Sequence, residues 1–240
     1  MLLRHGQTHS NVEGLLDTAE PGPGLTTRGA GQAVAVPDAL TGPGPDAIIV
    51  SPLLRTSLTA RPLALHHGID TVTMSGIREV EAGDLEMSAE HEAHQTYLTT
   101  IFAWARGNLS KRIPGGPDGT TFLARFDEAI ADIASAGWQD VVVVSHGAAI
   151  RSWASSRVRG IDVDHVERHA LHNTGTIEIE GNLRSGWELL RSSFQPIGGL
   201  SGAHGEDPTG GPPSADHDGF HAERHGIAGA GAGTAAARSI

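Results

Sequence analysis

The sequence predicts an α/β fold: a three-layer α/β/α sandwich with a mostly parallel central sheet and a small helical cap insertion. Three observations predict it. Apolar runs of strand length alternate with helix-length segments over residues 1–194, a pattern that folds as helices on both faces of a sheet. The run "DVVVVSHG", Asp140 to Gly147, carries unalternated valines, as a strand buried on both faces requires. Three strand-like runs end in polar, chemically capable residues, and open parallel sheets gather ligands outside the carboxyl ends of their strands.

The elements follow in chain order. "MLL" is a short apolar start that runs into Arg4-His5-Gly6. "LTTRGAGQAVAVPDAL", Leu25 to Leu40, reads as a helix with Thr26 as its N-cap and Pro37 breaking or ending it. "DAIIVS", Asp46 to Ser51, is a strand. The helix "PLLRTSLTARPLALHH" follows, with Ser51 as N-cap, Pro52 in the first turn and a kink at Pro62. "IDTVTM" is another short strand. A helix runs from about Ser88 to Arg106, inside an insertion of about residues 84–118 that is expected to cap the site. "RIPGGPDG" is a loop by its glycines and prolines. In "TTFLARFDEAIADIASAG", Phe122, Phe126, Ile130 and Ile133 recur at helical spacing. "AAIRSWASSRV" is a helix after the valine strand. "GTIEIE" and "GWELLRSSF" form a hairpin through "GNLRSG". From Gln195 the periodicity stops, and residues 195–240 read as a Gly/Pro/His-rich disordered tail.

Composition narrows the function. A net charge of −11 disfavours nucleic acid and anionic membrane surfaces as partners, while arginines clustered in a cleft still suit a small anion. The absence of cysteine excludes disulfides and thiolate chemistry and fits a cytoplasmic setting. No apolar run approaches the ~20 residues that cross a bilayer, and no signal peptide is expected. His91 and His94 have a metal-binding spacing without an evident third ligand, so no metal is expected. No cofactor is expected either. A homodimer is compatible with the sequence.

The chemistry collects at strand ends. Arg4-His5-Gly6, Ser51-Pro52 with Arg55 one turn later, and Ser145-His146-Gly147 would bring two histidines and two arginines to one edge of a parallel sheet. The glycines after each histidine, Gly6 and Gly147, let backbone approach a ligand closely. Arginine holds phosphate oxygens in bidentate fashion and keeps its charge. A neutral imidazole is a competent nucleophile, and nearby arginines favour the neutral form. A leaving alkoxide needs a proton, and "SGIREVEAGDLE" offers Glu79, Glu81, Asp84 and Glu86.

These motifs resemble the histidine phosphatase superfamily, the phosphoglycerate-mutase-like proteins, over about residues 1–194. "LLRHGQTHSN" is similar to that family's Arg-His-Gly opening, "GLTTRGAGQA" to its Leu-Thr-x-x-Gly-x-x-Gln-Ala segment, and "SPLLRTSLTA" to its Ser-x-x-x-Arg-x-x-x-Thr-Ala helix. "REVEAGDLE" and "VVSHGAAIR" are similar to its glutamate loop and second histidine motif. The resemblance implies His5 as the phosphorylated nucleophile and Glu79 as proton donor. It implies Arg4, Arg55 and His146 as the phosphate pocket, Asn11 as a further contact, and no metal. Glu81 has a comparable location and competes with Glu79. The mutases' Glu-Arg-His-Tyr-Gly segment is replaced by Glu79-Val80-Glu81-Ala82-Gly83, and no paired arginines await a second phosphate. Hydrolysis of a small phosphorylated metabolite is therefore expected over mutase activity. A phosphate-binding protein without turnover is the alternative from another class.

Overall fold

Leu2 and Leu3, neighbours in the first strand, are buried in two different cores. Successive side chains of a strand point to opposite faces, so this pair marks a sheet covered on both sides. The computed structural model describes residues 1–40, 42–199 and 209–211. Its strands are β1 (Leu2–Arg4), β2 (Ala47–Val50), β3 (Thr71–Thr73), β4 (Val141–Ser145), β5 (Val158–Arg159), β6 (Thr176–Asn182) and β7 (Gly186–Ser193). Its helices are α1 (His9–Glu13), α2 (Thr27–Ala39), α3 (Leu54–His67), α4 (His91–Ala105), α5 (Gly119–Ser135), α6 (Gly147–Arg157) and α7 (Val163–Arg168).

The sheet order is β3-β2-β4-β1-β6-β7-β5. β3, β2, β4 and β1 are parallel, and β6 and β7 add an antiparallel hairpin. Leu3, Ile48, Val50, Val142 and Val144 pack with Val36, Ala60 and Leu63 of α2 and α3 on one face. Leu2, Ile49, Val143 and Ile177 pack with α4, α5 and α6 on the other. The valine run thus serves both faces, as expected, and the α/β/α sandwich stands.

Thr26 caps α2 through its hydroxyl, which accepts from the Gly29 N–H, and α2 ends two residues after Pro37. Asp118 caps α5, whose Phe122, Phe126, Ile130 and Ile133 are all buried. The hairpin turns within "GNLRSG", with Asn182 Oδ1 accepting from the N–H groups of Arg184 and Ser185.

Several expectations need correction. Ser51 is not an N-cap: α3 starts at Leu54, its N-cap Leu53 makes no side-chain bond, and the Ser51 hydroxyl is engaged at a histidine instead. α4 begins at His91 rather than Ser88. The helices α1 and α7 and the two-residue strand β5 were not foreseen, since each is too short to show a period. The segment expected as a cap includes α4, which buries Tyr97, Leu98, Ile101, Phe102 and Trp104 in the larger core. Of the expected tail, residues 200–208 and 212–240 lie outside the described residues. Ile197 packs on the smaller core.

Candidate active site

β1 and β4 lie side by side in parallel with Arg4 opposite Ser145. The next residue of each strand is a histidine, so His5 and His146 emerge together, with ring centroids 5.2 Å apart in an edge-on arrangement. β2 pairs with β4 on its other side, Val50 opposite Val144, and Ser51 follows directly, its Oγ 2.7 Å from His146 Nε2. One turn into α3, Arg55 sends its Nε–H to His5 Nε2 at 3.2 Å. The four groups read from distant motifs therefore meet at the carboxyl edge of the sheet, and His5, Arg4, Arg55 and His146 are all buried.

The partners assign the protons. The Gly6 carbonyl oxygen can only accept, so His5 Nδ1 carries hydrogen and donates to it at 2.8 Å. His5 Nε2 is left bare, accepting from Arg55. Burial, then the charges of Arg55 and Arg4, hold the His5 imidazole well below its ordinary pKa. At His146 the Leu53 N–H donates to Ser51 Oγ at 3.3 Å. The Ser51 hydroxyl, also 3.2 Å from Thr56 Oγ1, can donate its hydrogen to His146 Nε2, an arrangement in which the ring's own proton sits on Nδ1. Burial first, then Arg55, His5 and Arg4, keep this ring neutral as well. His146 Nδ1 and Arg55 Nη1 are both buried without a hydrogen-bond partner among the described residues. Buried polar groups are normally satisfied, so these two, beside the unprotonated His5 Nε2, leave hydrogen-bonding capacity of the kind an anion would use.

Glu79 and Glu81, not separable by sequence, differ in surroundings. Glu79 is fully buried at the N-terminus of α6. Its Oε1 accepts from Val80 N–H at 2.9 Å and Ala149 N–H at 2.8 Å, and Oε2 accepts one long bond, 3.3 Å, from Ala148. Burial raises its pKa, against these bonds and the charge of Arg55. The loosely held Oε2 is the natural seat of a proton. Glu81 is an ion pair at 2.5 Å with Arg78 and reaches Arg125 at 3.5 Å, with over a third of its side chain exposed.

Motif residues without evident chemistry hold the parts together. Gly6 donates its N–H to Thr59 Oγ1 of α3, and Gln7 N–H donates to Gln32 Oε1 of α2. A Cβ on Gly29 would sit 2.0 Å from the Gln7 carbonyl oxygen, so only glycine lets α2 cross the histidine loop. A Cβ on Gly147 would lie 2.6 Å from the Thr209 carbonyl oxygen and 3.0 Å from Arg4 Nε. Asn11 is buried, but its Oδ1 already accepts from Thr8 N–H and from Asn173 Nδ2. Asn173 also donates to the His5 carbonyl at 3.1 Å, bracing His5. Arg4 donates to the Leu171 carbonyl at 2.7 Å and to Thr209 Oγ1 at 3.0 Å. Sequence reasoning missed Ser51 as a histidine partner, Asn173 as a brace of His5, Thr209 and Arg125. Only Ser51 had a signal, its position at a strand end in a motif. Among the described residues no group of three or more His, Asp or Glu side chains gathers as a metal site.

Residues 1–193 match the family model of the Histidine phosphatase superfamily (branch 1). The chain is 35% identical over 215 residues to PE-PGRS family protein PE_PGRS11 of Mycobacterium tuberculosis (strain ATCC 25618 / H37Rv), covering 83% of this chain. It spans only 37% of that relative's length. It is 30% identical over 197 residues to the probable phosphoglycerate mutase GpmB of Salmonella paratyphi C (strain RKS4594), covering 78% of this chain and 88% of that one. The crystal structure of the alpha-ribazole phosphatase from Shigella flexneri superposes with a TM-score of 0.62 at 26% identity, covering 81% of this chain and 95% of that one. With the strand-end histidines, the arginines and the interlocked glycines in place, the chain belongs to the histidine phosphatase superfamily.

Proposed function

We propose that the protein is a phosphomonoester hydrolase that acts on a small phosphorylated metabolite through a phosphohistidine at His5. The observation that carries this reading is the bare His5 Nε2 beside two orphaned donors, His146 Nδ1 and Arg55 Nη1. Arg4 joins them by exchanging the Thr209 hydroxyl for a phosphate oxygen. Asn11 and Gly147 line the entry, Gly147 by leaving room for backbone to approach.

As Arg55 Nε–H turns from His5 Nε2 to a phosphate oxygen, the freed Nε2 lone pair attacks phosphorus, the ester P–O bond breaks, and Glu79 gives its proton to the leaving oxygen. Water then loses a proton to the Glu79 carboxylate and attacks the phosphohistidine. The P–N bond breaks, its electrons return to Nε2, and inorganic phosphate leaves. Phosphoryl transfer asks mainly for positioning and charge neutralisation, which the two arginines and the neutral His146 donor supply. Residues 1–194 carry the proposed catalytic residues, and Thr209 reaches back to them by accepting from Arg4. The cysteine-free composition suits action in the cytoplasm.

The sequence similarity to a probable mutase favours a second reading, transfer between hydroxyls without release of phosphate. Assay of a panel of phosphate esters for free phosphate separates the two. Trapping with radiolabelled ester should leave an acid-labile, base-stable label on the protein. His5→Ala should abolish the label and lower turnover at least ~10⁴-fold. A fully active His5→Ala enzyme would overturn the reading.

A further inference from the structure

Between the edge strand β3 and α4 the chain carries Glu79 on a segment without strand pairing. Five successive carbonyl groups of that segment each accept a side-chain hydrogen bond from another element. Arg125 of α5 donates to the carbonyls of Gly76 at 2.8 Å, Arg78 at 3.0 Å and Glu79 at 3.1 Å. Ser145 Oγ takes Ile77 at 2.7 Å, and Tyr97 Oη takes Val80 at 2.7 Å. Gly76 is pressed against α5, where a Cβ would fall 2.5 Å from the Ala129 Cβ.

We propose that Arg125 is a positioning residue for proton donation: its guanidinium grips three of these carbonyls and so sets the Glu79 carboxyl at the N-terminus of α6. The inference rests on Glu79 being the general acid. A planar fork with five donors suits three carbonyls spread over four residues, whereas an ammonium is a point charge on a flexible stem. Arg125 is mostly buried, and Glu81 at 3.5 Å and the Phe122 ring, 5.2 Å from the guanidinium carbon, offset its charge. Burial pulls its pKa to about 10, still charged at neutral pH. Proton donation is sensitive to small displacements, because the acid must lie within hydrogen-bond reach of the leaving oxygen.

The test compares two substrates in one preparation. Glycerol phosphate leaves as a basic alkoxide and needs the proton; p-nitrophenyl phosphate leaves as a stable phenolate and does not. The quantity compared is kcat/KM, which covers steps through loss of the alcohol and leaves out the later water attack that also uses Glu79. Arg125→Lys and Arg125→Met should each lower it at least about 30-fold for glycerol phosphate, part of the ~10²–10⁴-fold worth of a general acid, and less than about 3-fold for p-nitrophenyl phosphate. The ratio of the two rates does not depend on how much enzyme is folded, so partial misfolding of either variant leaves the result readable. Equal loss on both esters, or no loss on either, would overturn the proposal. Glu79→Gln is the control. If it shows the leaving-group bias and the Arg125 variants do not, the role of Arg125 fails alone. If Glu79→Gln lowers kcat/KM equally for both esters, the assignment of Glu79 as the proton donor fails with it.

Discussion

His5 and Glu79 have their pKa values pushed toward each other, and catalysis requires it. The first step needs neutral imidazole and protonated carboxyl at once. At their ordinary values of 6.5 and 4.5, about one molecule in a hundred would hold both correct forms at the best pH. Burial lowers the first and raises the second, enlarging that fraction. The rate on an alkyl phosphate should therefore follow a bell: an acid limb below 6.5 as His5 gains a proton, and an alkaline limb where Glu79 loses one. Glu79→Gln should remove the alkaline limb, and a limb that survives would assign it elsewhere. Ser51 affords a finer test. Without its hydroxyl hydrogen, His146 Nε2 has no donor, and the ring is released to carry its proton on either nitrogen. Ser51→Ala should lower kcat/KM about 10-fold, the upper end of what one neutral hydrogen bond is worth, and ¹⁵N chemical shifts of His146 should report mixed tautomers. An unchanged tautomer would show that Ser51 does not set it.

At the level of elements, the fit between loops and helices explains which features could be read from sequence. Long periods were legible: the buried stripe of α5 and the valines of β4 announce themselves by repetition. The strand-end histidines were legible because a parallel sheet sends its carboxyl ends one way. The engagement of Ser51 was not, because a serine before a proline looks the same whether it caps a helix or meets a histidine 95 residues later. Arg125 was hidden for a related reason, since nothing in an amphipathic pattern distinguishes a solvated arginine from one that grips three carbonyls. Gly29 links the two levels. Its missing Cβ lets α2 touch the loop after His5, and its contact with Gln7 is too close for any side chain. Gly29→Ala should force α2 and the histidine loop apart. The expected cost is about 1–3 kcal/mol of stability, as for overpacking elsewhere, measured by urea unfolding, together with a clear loss of turnover. Wild-type stability and activity in this variant would show that the loop moves freely.

For the molecule as a whole, the interior that makes the site work also ties stability to pH. Two imidazoles are buried neutral beside Arg4 and Arg55, so the folded protein resists taking their protons while the unfolded chain accepts them near 6.5. The sign follows from linkage: between the depressed folded values and 6.5 the unfolded state binds more protons, and stability falls as pH falls. Their contribution is complete above 6.5 and is lost as pH drops through the folded values. Glu79 works in the opposite sense. Its raised pKa makes its contribution complete below 4.5 and lost as pH rises through the folded value. Where the windows overlap, two histidines outweigh one carboxyl. Each histidine that resists protonation contributes a slope of about 1.4 kcal/mol per pH unit. Urea unfolding across pH 5 to 7.5 should show stability decreasing below 6.5, and His5→Asn should flatten the profile by about one proton. An identical slope in the variant would mean that His5 titrates alike folded and unfolded, and the depressed pKa on which its nucleophilicity at neutral pH depends would have to be abandoned.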